Sequence, residues 1–221
     1  MKDSFWYPIV FMLIMVVIFA SILSVMYRFS QDKILRQERD SYQIAVLSTL
    51  ASAISDYTGE STESIMAAYP ESYERFVRSR DYPELDRESY QAEVDEEILA
   101  YCFEIRGKGL WGSMQALVST TVDLRTILDF NIVNQHETPG LGARIEEDWF
   151  LSQFRDRLFV VNPDAEEDIS QSYEFIAETQ TPENERQLRR VTGATITSDS
   201  VIKMLRDEFN HIYKYFRNNE L

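Results

Sequence analysis

From Trp6 to Tyr27 the chain carries no charged side chain, and nearly every residue in that run is large and apolar. A helix rises about 1.5 Å per residue, so this stretch alone covers the ~30 Å hydrocarbon layer of a bilayer. Trp6, Tyr7 and Tyr27 stand where an aromatic belt forms at the two interfaces. The apolar run is too long for the core of a cleaved signal peptide, and no small-residue cleavage site closes it. The expectation is an uncleaved single-pass anchor in the bilayer. Lys2 precedes the span, while Arg28, Lys33, Arg36 and Arg39 come after it among Asp32, Glu38 and Asp40. Counting Lys and Arg alone puts the C-terminal body in the cytoplasm, a rule that loses force when a long domain lies behind the span.

The 221 residues leave room for one globular domain behind the anchor. A formal net charge of −15 repels phosphate backbones, which argues against nucleic acid as a partner. Cys102 is the only cysteine, and the two histidines are His136 and His211. That set provides no intrachain disulfide and no cysteine motif for zinc, an iron–sulfur cluster or c-type haem, so no metal site is expected. Cys102, between Tyr101 and Phe103, reads as a buried apolar residue. Redox chemistry in such a chain needs an organic cofactor.

Residues 31–55 have helical apolar spacing without Pro or Gly, so the membrane helix is expected to continue as a stalk. Residues 56–98 are acidic and broken by Gly59, Pro70 and Pro83; they read as an insertion with short helices. Beyond Tyr101, residues 115–119, 126–133, 158–161 and 173–177 read as strands, 146–154 as a helix, and 198–217 as a final helix. The expected architecture is α+β: an anchor at 1–28, stalk and insertion at 29–98, and a mixed α/β domain at 99–221.

Three clusters carry chemistry. Val191-Thr192-Gly193-Ala194-Thr195-Ile196-Thr197-Ser198 joins an extended run to the final helix. Small residues and hydroxyls at a helix N-terminus suit a phosphate, because free N–H groups and the helix dipole face it. The three threonines also offer oxygens for a covalent phosphate. The plainer roles are turn support for Thr192, and helix N-capping for Thr197 and Ser198. His136-Glu137-Thr138-Pro139-Gly140-Leu141-Gly142 comes directly after a strand. It reads either as a plain turn or as a loop approaching a planar ligand, with Leu141 as an apolar contact and Thr138 as a polar one. Gly107-Lys108-Gly109-Leu110-Trp111-Gly112-Ser113-Met114 sets Trp111 among glycines, against a flat ring or the core. It is neither a Walker loop nor a dinucleotide fingerprint.

In this order and behind one apolar span, the three clusters resemble the FMN-binding domain of the Nqr and Rnf respiratory complexes. The similarity is strongest to the C-type subunit of sodium-translocating NADH:quinone oxidoreductases (Nqr), with the G-type subunit of Rnf as a near relative. It covers the anchor with its stalk and residues 101–217. The resemblance implies FMN esterified through its phosphate to Thr195, in a chain that relays electrons and has no catalytic residue of its own. Thr192, Gly193, Ala194 and Thr197 would surround the phosphate. Glu137, Thr138, Gly140, Leu141 and Gly142 would line the ring side, with Trp111 near it. Other membrane subunits, a flavin transferase and the bilayer are the implied partners, with electrons passing from NADH to quinone as Na+ is exported. The bacterial inner membrane is the implied location, with the FMN domain on its extracytoplasmic side. An Rnf-type subunit exchanging electrons between ferredoxin and NAD, or a free-standing anchored flavoprotein, is the alternative. The resemblance also calls for an acidic residue three positions before Thr192, where this chain has Arg189. Arg189 and Arg190 could instead neutralise the phosphate.

Overall fold

The computed structural model of the chain describes residues 6–158, 173–184 and 186–219. Its first element, α1, is one uninterrupted helix over Trp6–Thr58. Pro8 sits in the first turn, where its missing N–H costs nothing. Gly59 closes the helix: at φ +74° it donates its N–H to the Ser55 carbonyl at 2.9 Å. The chain divides into two compact units, residues 1–42 and 43–221.

The first unit is the leading part of α1. Its apolar side chains are exposed to the surroundings rather than packed on protein, Leu13, Val16 and Phe19 among them. Leaving each such side chain in water costs about 1.5–3 kcal/mol. The helix is long and apolar enough to cross a membrane. Ser21, one of two serines in the apolar run, returns its hydroxyl to the Val17 carbonyl at 2.7 Å.

The second unit is built on a six-stranded antiparallel meander in chain order: β1 (Val77–Arg80), β2 (Ser89–Val94), β3 (Glu97–Lys108), β4 (Ser113–Thr120), β5 (Thr126–Asn134) and β6 (Arg157–Leu158). The register pairs Phe103 with Val118 and Ile105 with Ala116. Alternation sends Phe103, Ile105, Met114, Ala116 and Val118 to one face. There they share a core with α5 (Thr195–Asn219) through Val201, Met204, Leu205, Phe209, Ile212 and Phe216. That three-and-four spacing puts one stripe of α5 on the sheet. Phe216 meets Phe103 edge-on at 5.8 Å. The end of α1 covers the opposite face, where Ser119 donates its hydroxyl to the Thr49 carbonyl at 2.6 Å. Cys102 is fully buried. Burial and the nearby Asp129 push its thiol well above its ordinary value, so it stays protonated and unreactive.

Several expectations need correction. Residues 56–98 are no insertion: after the short helices α2 (Thr62–Ala67) and α3 (Glu71–Phe76) they supply β1 and β2. The compact unit therefore starts at Gln43 rather than at residue 99. The helix expected over 146–154 is three shorter pieces, a 3-10 turn at Gly142–Glu146, α4 at Asp148–Leu151, and a second 3-10 turn at Ser152–Phe154. Of the strand expected at 158–161, Leu158 ends β6, and 159–161 lie outside the described residues. The last helix begins at Thr195, three residues before the expected start. Its entry is set by a small parallel sheet of β7 (Glu174–Ile176) and β8 (Gln187–Arg189), which feeds the turn at 190–194.

Candidate functional site

The three glycine-bearing segments meet because one carboxylate joins them. Gly109 and Gly112 close the β3–β4 turn, the Gly109 N–H meeting the Gly112 carbonyl at 2.8 Å. This turn aims the Trp111 N–H inward, onto Glu137 Oε1 at 3.0 Å. The other oxygen of Glu137 accepts the Thr197 hydroxyl at 2.7 Å. Glu137 thus ties the loop after β5 to the β3–β4 turn and to the first turn of α5, while only 5 % exposed. A buried acid without such donors would be costly. The glycines make room for it. A Cβ on Gly109 would lie 2.3 Å from Glu137 Oε1, and one on Gly142 would lie 2.8 Å from its Cβ and 2.9 Å from Thr197 Oγ1.

The turn into α5 is held from inside. Val191 donates its N–H to Ser198 Oγ at 3.1 Å, and Ser198 returns its hydroxyl to the Ala194 carbonyl at 3.0 Å. Gly193 takes φ +78°, which a side chain would strain, and its Cβ position lies 3.2 Å from Leu141. The N–H groups of Thr195, Ile196 and Thr197 have no partner inside the helix. No acidic residue occupies that first turn to offset the dipole.

The three threonines separate by environment. Thr197 is buried and committed to Glu137, and neither it nor Ser198 caps the helix as expected. Thr192 donates its N–H to Glu178 Oε2 at 2.8 Å. Thr195 is exposed, and among the described residues its hydroxyl has no partner.

These segments wall an open cleft of about 400 Å³, within the size range of small-molecule sites. The α5 side presents Gly193, Ala194, Thr195 and Thr197; the loop side presents Glu137, Thr138, Leu141 and Gly142. Trp111 lines it with Leu110 and Ile196, two residues that sequence patterns do not single out. Their signal is exposure, which no linear motif encodes: Trp111 is 70 % exposed, Ile196 57 %, Leu110 49 % and Leu141 46 %. Four large apolar side chains left open around one cleft mark a place for a flat apolar partner. Thr192 and Gly140 stand outside the lining. Gly140, at φ +74°, shapes the loop instead. An apolar wall on one side, with hydroxyls and unpaired helix N–H groups on the other, fits a flavin ring and its phosphate.

Arg189 and Arg190 do not line this cleft. Arg189 lies over the Trp149 ring at 5.3 Å, and Arg190 donates to the Phe175 carbonyl at 2.7 Å. Neither is placed to neutralise a phosphate there. Arg144 shares the Trp149 ring at 5.6 Å and grips Glu178 through two bonds, at 2.7 and 3.1 Å. That grip, with the Thr192 N–H, holds the Glu178 carboxyl well below the usual carboxylate range, at about 2.

Comparison with known proteins agrees with this geometry. Residues 109–209 match the FMN-binding domain family. The G-type subunit of the proton-translocating ferredoxin:NAD(+) oxidoreductase complex of Clostridium ljungdahlii is 31 % identical over 123 residues, covering 56 % of this chain and 58 % of that protein. The C-type subunit of the Na(+)-translocating NADH-quinone reductase of Pseudomonas aeruginosa is 26 % identical over 117 residues, covering 52 % and 44 %. The chain spans about half the length of the curated relatives it matches. The crystal structure of the corresponding C-type subunit from Parabacteroides distasonis shares the fold, with a TM-score of 0.58 at 20 % identity over 83 % of this chain and 96 % of that one. Its counterpart from Shewanella oneidensis gives 0.50 at 17 %, over 69 % and 72 %. The cleft between the β3–β4 turn and the start of α5 thus lies within the stretch that matches the FMN-binding domain family, and the relatives of that stretch are named as C-type subunits of Na(+)-translocating NADH-quinone reductases and G-type subunits of ferredoxin:NAD(+) oxidoreductase complexes.

Proposed function

We propose that this chain is a membrane-anchored electron carrier of an ion-translocating redox complex, holding FMN covalently through a phosphoester on Thr195. The observation that carries the reading is the sorting of the threonines: the Thr197 hydroxyl is spent on Glu137, Thr192 is tied to Glu178 by its N–H outside the cleft lining, and Thr195 stands in the cleft at the helix N-terminus. The chemistry supplied by bound FMN is one-electron transfer, and the protein sets its position. The chain's own residues do the holding. The first turn of α5 would face the phosphate and Trp111, Leu141 and Ile196 would shield the ring, while Glu137 fixes the three segments.

A separate flavin transferase loads the site once. Thr195 Oγ forms the new bond to phosphorus, and the anhydride bond of a flavin dinucleotide donor breaks. The hydroxyl proton goes to solvent and the second phosphate leaves with its nucleoside. Tethering keeps the cofactor from escaping an open cleft.

The complex we favour is of the Na+-translocating NADH:quinone type, and the 26–28 % identity with C-type subunits of Na(+)-translocating NADH-quinone reductases supports it. The 31 % identity with the clostridial G-type subunit favours a ferredoxin:NAD-type complex as the second reading. In either case the span contains no ionisable residue, so ion passage belongs to partner subunits. We place the FMN domain on the extracytoplasmic side of a bacterial inner membrane.

The test is fluorescence of the denatured full-length chain on a gel, after expression with a flavin transferase. Wild type and Thr192→Ala are expected to fluoresce, and Thr195→Ala to be dark. A flavin retained by Thr195→Ala overturns the proposal. Protease access in intact spheroplasts tests the side.

A further inference from the structure

Glu178 belongs to none of the sequence clusters and does not line the cleft, yet it holds the turn that presents Thr195. The local topology brings it there. β7 and β8 are parallel, with Ile176 opposite Arg189, so both strands release their next residues at the same end. Glu178, two residues beyond Ile176, meets Thr192, three residues beyond Arg189. Its Oε2 accepts the Thr192 N–H at 2.8 Å.

The carboxylate is itself immobilised. The Arg144 guanidinium bonds Glu178 Oε1 at 2.7 Å and Oε2 at 3.1 Å, a fork that fixes the plane of the acid. Arg144 is held in turn by Glu147 at 3.0 Å and by the face of Trp149. The fork also neutralises the acid beside a site that receives a phosphate. Across the turn, Ser198 fixes Val191 and Ala194. Residues 191–194 are thus gripped from both sides, with Gly193 held at φ +78° between them.

We infer that Glu178 is a positioning residue for flavin attachment, acting through Thr192 to hold the turn that presents the Thr195 hydroxyl to the incoming flavin phosphate. This rests on the reading of Thr195 as the attachment point. Without the grip, the turn samples other orientations and the hydroxyl is correctly placed in only a fraction of encounters.

The test uses the full-length chain in detergent, produced without a transferase. Two quantities are read: the exchange rate of the Thr192 and Gly193 amides in the flavin-free chain, and the initial rate of covalent flavin incorporation after adding purified transferase and flavin dinucleotide. Glu178→Ala is expected to speed exchange at Thr192 at least tenfold, leave the α5 core amides protected, and slow incorporation at least tenfold. Glu178→Gln keeps an acceptor for the N–H and is expected to recover incorporation to within threefold of wild type. Arg144→Gln loosens the fork without removing the acid, and is expected to load at least threefold more slowly. It replaces Glu178→Ala in the comparison if that variant loses α5 protection.

Wild-type incorporation rates in Glu178→Ala or Arg144→Gln overturn the inference, as does a Glu178→Gln variant no faster than alanine. Thr195→Ala, run alongside, separates the two readings. Incorporation into it defeats the attachment site itself, whereas a dark Thr195→Ala beside a fast Glu178→Ala defeats only the role of Glu178.

Discussion

Glu137 carries more of the site than its position in a turn suggests. Each of its oxygens satisfies a donor from a different segment, so replacing it strands two polar groups at once. An unpaired buried donor costs about 1–3 kcal/mol. Glu137→Ala is expected to destabilise the domain by about 2–5 kcal/mol on that basis, read from the midpoint of urea unfolding. Thr197→Ala removes one donor and is expected to cost about 1–3 kcal/mol while leaving the proposed attachment of flavin at Thr195 intact, since Thr195 is untouched. Glu178 gives a pH signature. Its folded value, about 2, lies below the ordinary carboxylate value of roughly 4.3. Its stabilising contribution is therefore present above that ordinary value and lost as pH falls through about 2. Protection of the Thr192 amide is expected to persist at pH 4 in wild type and fall near pH 2. In Glu178→Gln the same window is expected to be flat.

At the scale of elements, α5 links core and site. Its stripe from Val201 to Phe216 anchors it on the sheet, and its first turn forms one wall of the cleft. Phe209 is fully buried in the middle of that stripe. Phe209→Ala is expected to cost about 3–5 kcal/mol, measured by denaturant unfolding. Helical spacing shows this element in the sequence, because a 3.6-residue period on one apolar face has few other solutions. Spacing sets its start three residues late because Thr197 and Ser198 look like caps. In the structure their hydroxyls serve Glu137 and the Val191 turn. β3 is harder to see. Buried on both faces, Ala100 to Ile105 shows no alternation between apolar and polar residues. In α1 the apolar run is legible directly. Placing Arg at Leu13, an exposed side chain within it, is expected to cost about 2.5–3.5 kcal/mol of insertion. That shifts protein from the membrane pellet to the carbonate-soluble fraction.

At the scale of the whole chain, the family match begins at residue 109, whereas the compact unit begins at Gln43. β1, β2, the whole of β3 and the end of α1 therefore complete a unit of which only the part from residue 109 onward carries the family pattern. The acidic stretch 56–98 looks dispensable in sequence because Gly59, Pro70 and Pro83 break its periodicity. Antiparallel pairing of β2 along β3 makes it structural. The long apolar helix, the two glycine turns and the small, hydroxyl-rich lead into the last helix were determined by sequence alone. They depend on local chemistry: unbroken apolarity, backbone freedom, and hydroxyls beside a helical period. The division of labour among three threonines was decided only by tertiary structure. Glu137 reaches Thr197 across sixty residues of sequence, and Glu178 reaches Thr192 through a strand pairing that no motif announces. Hydrogen-bond partners depend on which groups the fold brings within about 3 Å of each other, and spacing along the chain does not encode that distance.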